Sequence, residues 1–315
     1  MTQYPPVEGR APFKVPSIDE HCYTYYKIVG DLDSCGCPPV IIAHGGPGVG
    51  HEYLLPLTEL WPKYGIPVIF YDQIGCASST HLRHKAGDKS FWQEQLFQDE
   101  LDNLIDHLDL RLRGFHLLGH SWGGMLASAF AARQPPGLQM VVLASALASK
   151  ELAREGFRLQ RDSFPPDLRQ AAEEAEAKNE YEGAAYKSAM AYYQKTHVCR
   201  TQPIPPELGA AWKNLSEDNT VNRTMNGRSA VDLDASNAQW SVIDRLSNIN
   251  VPTFVYYGEY DTSHHIAQVP FLQNIRDVQV KVFTESGHMC HVEGRGIREE
   301  VIKSVGDFLK YGIVN

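Results

Sequence analysis

The sequence lacks an apolar run long enough to cross a membrane, because its longest apolar stretches have the length of strands. The first segment, 1–15, is polar and rich in proline and has no apolar core of a secretory signal. Position 2 is Thr2 rather than the glycine that myristoylation requires. These absences exclude a membrane partner and favour a cytoplasmic location.

Cysteines are few, and none of the six lies in a C-x-x-C pair. Cys35 and Cys37 are too close in sequence for an easy mutual disulfide and have no partners that would complete a zinc site. The pattern predicts free thiols in a reducing compartment and no metal.

Positive charge is in deficit, with 29 Lys and Arg against 38 Asp and Glu and a net charge of −9. This balance argues against a sequence-independent nucleic-acid partner, which requires a basic face. Apolar residues make up 43% and aromatic residues 10% of the 315 residues, which excludes disorder as the main character. A chain of this length buries a core without disulfide or metal staples.

Short apolar runs alternate with amphipathic segments from Pro38 onward, where we place the first organised unit. The predicted strands are 39–43, 66–71, 114–119, 139–144, 251–257 and 278–283, and the predicted helices are 53–64, 91–112, 123–133 and 297–311. Buried strands that alternate with helices predict an α/β fold, with a mostly parallel sheet and helices on both faces. Whether the segment before residue 38 packs on the sheet edge stays open.

The alternation stops after Ser149, and residues 150 to about 235 are helical and polar, with no buried strand. An insertion after a sheet strand lies over the strand ends, where open α/β sheets place their active sites. We therefore predict a core made of 1–148 and 238–315, interrupted by a helical cap, or lid, at 149–237.

The segment Gly119-His120-Ser121-Trp122-Gly123 matches G-x-S-x-G, the nucleophile elbow of serine hydrolases. It follows an apolar strand and opens a helix, as the elbow requires. The tight turn needs glycine at both ends. Ser121 would stand above the sheet at a helix N-terminus, where negative charge is stabilised.

A glycine-rich loop, HGGPG at 44–48, follows the first strong strand. Such a loop aims a backbone N–H at the reacting carbonyl oxygen. We assign the oxyanion hole to the N–H groups of Gly46 and Trp122, with Gly45 as the alternative in the loop. His44 is expected to support the loop through side-chain hydrogen bonds rather than to catalyse.

A serine nucleophile needs a base and an acid that orients the base, in the chain order serine, acid, histidine. Asp261 follows the strand at 251–257 and is the predicted acid, with Glu259 in the same loop as the alternative. His288 follows Gly287 beyond the next strand and is the predicted base. For the competitor His291, a packing role is favoured.

Together these segments resemble the proline iminopeptidase group of α/β hydrolases over about 38–309. The matching stretches are HGGPG at 44–48, YDQIGCASS at 71–79, GHSWGG at 119–124, 192–200 and 225–227 in the insertion, GEYD at 258–261 and SGH at 286–288. The resemblance implies the α/β-hydrolase fold, a cap over a Ser–Asp–His site, and no cofactor.

The resemblance also implies acidic side chains that hold the free amino group of a peptide, and these are missing here. Thr262 and Ser229-Ala230 stand at the corresponding positions. An ammonium buried without an anionic partner is unfavourable. Asp232 and Asp234 are close by in sequence and could replace the missing acids.

The leading functional hypothesis is a serine hydrolase that cleaves an amide or ester bond of a small molecule or short peptide through an acyl-enzyme on Ser121. The alternative substrate is a non-peptide ester, lactone or neutral amide such as a secondary metabolite. A non-catalytic scaffold or receptor is least favoured, because the triad is intact. Candidate substrate contacts are Glu259, Tyr192 and Trp212, and with them Trp122 and Tyr193, although cap aromatics also serve as core.

Overall fold

The protein forms one eight-stranded sheet with the strand order β1-β2-β4-β3-β5-β6-β7-β8. The structure is a computed structural model that describes residues 5–16, 18–33 and 36–314. The strands are β1 (Val7–Phe13), β2 (Cys22–Val29), β3 (Val40–Ala43), β4 (Val68–Asp72), β5 (Phe115–His120), β6 (Leu138–Ala144), β7 (Thr253–Gly258) and β8 (Val278–Phe283).

Helices connect the strands and fill the insertion. They are α1 (Leu60–Tyr64), α2 (Glu94–His107), α3 (Leu110–Arg113), α4 (Trp122–Ala131), α5 (Lys150–Asp162), α6 (Pro166–Lys178), α7 (Ala184–Tyr193), α8 (Pro206–Glu217), α9 (Thr220–Asn226), α10 (His265–Asn274) and α11 (Ile297–Tyr311). Among the described residues, no helix combines the length and apolarity that crossing a bilayer would need.

Strands β3 to β8 pair in parallel, and β3, β4, β5 and β7 are buried along their whole length. One face of the sheet packs on α2, α4 and α10, and the other on α1 and α11. Burial on both faces explains why these strands appear in the amino-acid sequence as continuous apolar runs. The predicted α/β-hydrolase fold, with its mostly parallel sheet and two helical layers, is confirmed.

The expectation that organised structure begins at Pro38 is wrong. Strands β1 and β2 pair antiparallel with each other, and β2 pairs antiparallel with β4, so this hairpin extends the sheet at its edge. Strand β1 is mostly exposed, and only Ala11 and Phe13 in it are buried. A mostly exposed edge strand of this kind carries no continuous apolar run, so the sequence gives no strand signal there.

The prediction of a single helix over 91–112 is also wrong. Helix α2 ends at His107, and Asp109 adopts the left-handed conformation with φ 53° before the short α3. The apolar spacing continues across this break because both pieces pack on the same layer, so periodicity alone does not reveal it.

Helices α5 to α9 lie between β6 and β7, where the insertion was predicted. The two ends of this insertion run side by side, since Lys150 N–H donates to the Trp240 carbonyl at 3.0 Å and Val242 N–H donates to the Ala148 carbonyl at 3.0 Å. The chain thus leaves and re-enters the core at one place.

Candidate active site

The turn between β5 and α4 holds Ser121 in a sparsely populated backbone conformation, with φ 55° and ψ −119°. A Cβ on Gly119 would lie 2.0 Å from the Gly123 carbonyl oxygen, and a Cβ on Gly123 would lie 2.0 Å from the Ala43 carbonyl oxygen. Close approach therefore requires both glycines, as the sequence analysis expected. Strained turns of this kind persist where the surrounding packing enforces them.

The predicted acid and base are hydrogen-bonded to each other. His288 Nδ1 lies 2.6 Å from Asp261 Oδ1, and both residues are buried. Asp261 is held in turn by the N–H groups of Ser263 at 2.8 Å and Gly258 at 3.2 Å, and its carbonyl oxygen accepts from Gln160 Nε2 at 2.6 Å. A carboxylate on Nδ1 fixes the imidazole so that Nε2 is the nitrogen free to act as a base.

Two cavities meet at Ser121 and His288. The larger, called here the polar cavity, has a volume of about 360 Å³, and its wall includes Lys150, Tyr193, Asn226, Arg228, Ser229 and Thr262. The smaller, called here the apolar cavity, has a volume of about 160 Å³, and its wall includes Val49, Tyr53, Leu208, Trp212, Leu215 and Met289. Gly46 borders both, so the two halves of a bound molecule have separate places on either side of the serine.

The glycine-rich loop distinguishes between the two candidate oxyanion donors. Gly45 N–H donates to the Tyr53 hydroxyl at 2.7 Å and is therefore occupied. Gly46, with φ 110°, borders both cavities, and its carbonyl oxygen accepts from Asn226 Nδ2 at 2.7 Å. Trp122 opens α4, where the first N–H groups have no partner inside the helix. The pair Gly46 and Trp122 is favoured over Gly45.

A buried hydrogen-bond chain connects this loop to the predicted base. Tyr53 accepts from Gly45 and donates to His120 Nδ1 at 2.8 Å, and His120 Nε2 donates to the His288 carbonyl oxygen at 3.0 Å. Burial lowers the pKa of His120 well below its usual value, so the imidazole is neutral with its proton on Nε2. Sequence reasoning missed Tyr53, whose only signal is an aromatic residue shortly after the glycine-rich loop.

Glu259, an alternative acid and candidate substrate contact, is not part of the site. Its side chain is exposed, and its carboxylate accepts from Glu285 N–H at 2.9 Å. The loop turns between positions 259 and 261, so that only Asp261 points toward His288.

Of the predicted aromatic contacts, Trp122 and Tyr193 border the polar cavity and Trp212 borders the apolar cavity. Tyr192 borders neither and packs edge-on against Phe164 with ring centroids 5.2 Å apart. Successive residues on a helix point about 100° apart, so Tyr193 faces the cavity and Tyr192 faces the interior of the insertion.

The remaining reactive groups near the site are buried and inert. The His291 ring packs 4.8 Å from that of His120, and burial lowers its pKa to about 3, in keeping with the packing role expected for it. Burial raises the pKa of the Cys76 and Cys290 thiols well above the usual value, so neither forms the thiolate that a cysteine nucleophile requires. Cys35 lies outside the described residues.

One group of ligating side chains, His51, Glu52 and Asp72, has its ligand atoms within 4.8 Å of one another. Its members are already engaged: His51 Nδ1 lies 2.8 Å from Asp72 Oδ1, and Glu52 accepts from Asn214 Nδ2 at 2.9 Å. The cluster ties the segment after β3 to the last residue of β4, and it borders neither cavity at Ser121.

The positions at which the family resemblance implies acids for a free amino group lie in the wall of the polar cavity. Thr262, Ser229 and Ala230 all border it, and no Asp or Glu of the described ranges does. Asp232 accepts from Arg228 N–H at 2.9 Å, and Asp234 pairs with Lys89 at the surface. Neither aspartate therefore replaces the missing acids in this structure.

Lys150 was missed by the sequence analysis, and it is a charged group in the wall of the polar cavity. It is the first residue of α5, directly after the N-cap Ser149. Nothing in the local sequence distinguishes this lysine from a solvent-exposed one, because its burial depends on α9 packing beside it.

Residues 38–295 match the family described as alpha/beta hydrolase fold. A proline iminopeptidase of Thermoplasma volcanium is 30% identical over 274 residues, which is 87% of this chain and 89% of that protein. The proline iminopeptidase of Lactiplantibacillus plantarum is 32% identical over 275 residues, which is 86% of this chain and 92% of that protein.

Two solved structures are similar over nearly the whole chain. The crystal structure of VinJ is 38% identical, with a TM-score of 0.89 over 98% of this chain and 100% of that one. The crystal structure of proline iminopeptidase from Mycobacterium smegmatis is 33% identical, with a TM-score of 0.87 over 96% of this chain and 97% of that one.

Proposed function

The chain belongs to the proline iminopeptidase-like group of alpha/beta hydrolases, and we propose that it hydrolyses an amide or ester bond through an acyl-enzyme on Ser121. The observation that carries this proposal is the hydrogen bond of Asp261 to His288, because His288 and Ser121 border the same cavity. It gives a serine on a strained turn an oriented base.

In this mechanism Ser121 attacks the carbonyl carbon while His288 Nε2 takes the hydroxyl proton. Asp261 holds the imidazole in the required tautomer and stabilises the imidazolium that forms. The N–H groups of Gly46 and Trp122 stabilise the oxyanion, and His288 then gives its proton to the leaving group. Water activated by His288 releases the acyl group and restores the serine.

The insertion at 149–237 serves in this proposal as a cap that selects the substrate. Tyr193, Asn226 and Lys150 come from three of its helices and border the polar cavity. A small molecule or short peptide is the expected partner. The cytoplasmic location and the absence of a nucleic-acid partner stay predictions from composition.

Two substrate classes remain in competition. The relatives are named proline iminopeptidase, which makes a short peptide with a free N-terminal imino or amino group one candidate. An ester, lactone or neutral amide without a free amine is the other, and the polar cavity favours it because no described carboxylate lines its wall. A buried ammonium without an anionic partner would be strongly disfavoured.

The proposal is tested by labelling the protein with a fluorophosphonate and by assaying prolyl and alanyl p-nitroanilides against p-nitrophenyl acyl esters. We expect labelling and ester cleavage, both lost in Ser121→Ala. Cleavage of the free-amine anilides would restore the aminopeptidase hypothesis. A protein that neither labels nor cleaves would be a scaffold, and the proposal would be wrong.

A matched pair of variants tests the acid in the same assay. Asp261→Asn should lower kcat by about 10⁴-fold, because the amide holds the wrong imidazole tautomer. Glu259→Gln should match the wild type, since Glu259 contacts the Glu285 backbone instead of His288. Equal losses in both variants would contradict the assignment of the acid.

A further inference from the structure

The polar cavity contains a cation without a counter-ion. Lys150 Nζ donates to Asn226 Oδ1 at 3.2 Å, and within the described ranges no Asp or Glu forms an ion pair with it. The charge that acts most strongly on it is another cation, Arg154, whose guanidinium donates to the Ala238 carbonyl oxygen at 2.7 Å. A partly buried ammonium in this setting is unfavourable until an anion joins it.

The second cation of the cavity wall is already balanced. Arg228 lies 3.5 Å from the Asp232 carboxylate and over the Tyr181 ring, with 5.2 Å from its guanidinium carbon to the ring centroid. Among the described residues that border the polar cavity, Lys150 is therefore the cation whose charge is left for a ligand.

The position of Lys150 in α5 adds to its need for an anion. It is the first residue of a 13-residue helix, at the end where the helix dipole is positive. Cations are favoured at the opposite end of a helix, so neither the dipole nor Arg154 compensates the ammonium. Burial in the cavity wall and the neighbouring Arg154 lower the pKa of Lys150 to about 8, which still leaves most of it charged at neutral pH.

We propose that Lys150 binds a carboxylate of the substrate, so that the enzyme acts on acyl compounds that carry an acidic group. This inference rests on the proposed hydrolysis at Ser121 and names its substrate class. The carboxylate lies in the polar cavity with Lys150 and Asn226, and the scissile carbonyl lies at Ser121.

The apolar cavity completes the description of the substrate. Its wall beyond Ser121 includes Leu208, Trp212 and Met289, and none of the described residues that border it is a lysine or arginine. An apolar group fits there. The substrate therefore has an apolar half and an acidic half, on opposite sides of the bond that is cleaved.

The test uses esters matched in length that differ only in the charge at one end. On the acyl side these are p-nitrophenyl hexanoate, p-nitrophenyl hydrogen adipate and p-nitrophenyl 5-(trimethylammonio)pentanoate, whose cation has no lone pair to attack its own ester. On the leaving-group side they are 4-hexanoyloxybenzoate and its methyl ester. We expect one of the two carboxylate esters to be cleaved with a kcat/KM at least about tenfold above its neutral partner, the range of a charge-assisted hydrogen bond.

Variants assign that preference to the ammonium. Lys150→Met keeps most of the stem and removes the charge, so it should abolish the preference: kcat/KM for the carboxylate ester should fall to that for its neutral partner in the same variant. Lys150→Arg should retain part of the preference. The control is Lys187→Met, since Lys187 is an exposed residue of α7 that does not border the cavity. A preference that survives in Lys150→Met, or a preference for the neutral or ammonium ester, would overturn the inference.

A binding measurement separates failure of this inference from failure of the proposed hydrolysis. Calorimetry on Ser121→Ala should detect hexanoate but neither hexanamide nor pentylammonium, and the Ser121→Ala, Lys150→Met double variant should lose hexanoate binding. Hexanoate binding in a protein without esterase activity would keep the carboxylate site and refute the hydrolysis. Esterase activity without Lys150-dependent binding or preference would support the hydrolysis and refute the carboxylate site.

Discussion

At the scale of single residues, the burial of the Lys150 ammonium should affect the stability of the protein as well as its substrate specificity. Its pKa of about 8 in the folded protein lies below the ordinary 10.5. The unfolded chain therefore binds more protons between these values, and the Lys150 contribution to the free energy of unfolding rises with pH across that window. Lys150→Met should be more stable than the wild type near neutral pH, and this advantage should shrink as the pH rises above about 8.

Urea denaturation of the two proteins at several pH values measures this difference. Lys187→Met serves as the control, because an exposed lysine that pairs with Glu182 at the surface has no comparable burial. A stability difference between Lys150→Met and the wild type that does not change with pH would show that the ammonium is well solvated, and the argument for an unbalanced charge would lose its support.

Residues whose role depends on local chemistry could be predicted from the sequence, and residues whose role depends on distant packing could not. Ser121 and its flanking glycines were readable because the turn itself demands them. Tyr53 and Lys150 were not, because each acquires its role from a segment far away in the chain: His120 for Tyr53 and Asn226 for Lys150.

At the scale of elements, the junction of β5, α4 and β3 leaves no room for a side chain at its glycines. Gly123→Ala would place a Cβ 2.0 Å from the Ala43 carbonyl oxygen, which is backbone and cannot move aside. We expect the free energy of unfolding to fall by about 1–3 kcal/mol, the range for overpacking a well-packed core. Urea denaturation with circular dichroism measures it.

The matched control for this substitution is Gly209→Ala, on α8. No atom of the described residues lies within 4 Å of a Cβ placed at Gly209, and the helical conformation accepts alanine. That variant should gain about 0.5–1 kcal/mol, because alanine restricts the unfolded chain. A Gly123→Ala protein as stable as Gly209→Ala would show that the elbow tolerates a side chain and would contradict the reason given for its glycine.

Elements were predictable where one physical signal dominated. The buried strands β3 to β7 and helix α11 were found because burial imposes apolar runs or helical spacing. The N-terminal hairpin of β1 and β2 was missed because its partial burial leaves no such run. The break at Asp109 was missed because both helical pieces pack on the same layer.

At the scale of the whole molecule, the insertion is hydrogen-bonded to the loops that carry Gly46, Asp261 and His288. Segment 194–198 of the insertion accepts backbone hydrogen bonds from His288 N–H at 2.8 Å and Met289 N–H at 3.0 Å. Gln160 holds the Asp261 carbonyl, and Asn226 holds that of Gly46. The insertion therefore holds the loops that carry the predicted catalytic groups, a coupling between distant segments that no local sequence pattern encodes.

This coupling predicts that loosening the insertion weakens catalysis. Ala189 of α7 is fully buried where α7 packs against α6, whereas Ala185 of α7 is exposed. Ala189→Asp places a charge in that interface and should loosen the insertion, whereas Ala185→Asp should not. In Ala189→Asp we expect faster hydrogen exchange at the His288 and Met289 amides and a lower kcat.

The amide of Leu117, at the centre of the sheet, distinguishes this coupling from global unfolding. Strand β5 is buried and paired on both sides, so Leu117 should keep its slow exchange in both variants. Segment 194–198 supplies the acceptors for the two loop amides, so their protection should fall with that of α7. If Ala189→Asp accelerates exchange in α7 while the His288 amide and kcat keep their wild-type values, the insertion acts only as a cover and the catalytic loop is held by the core alone.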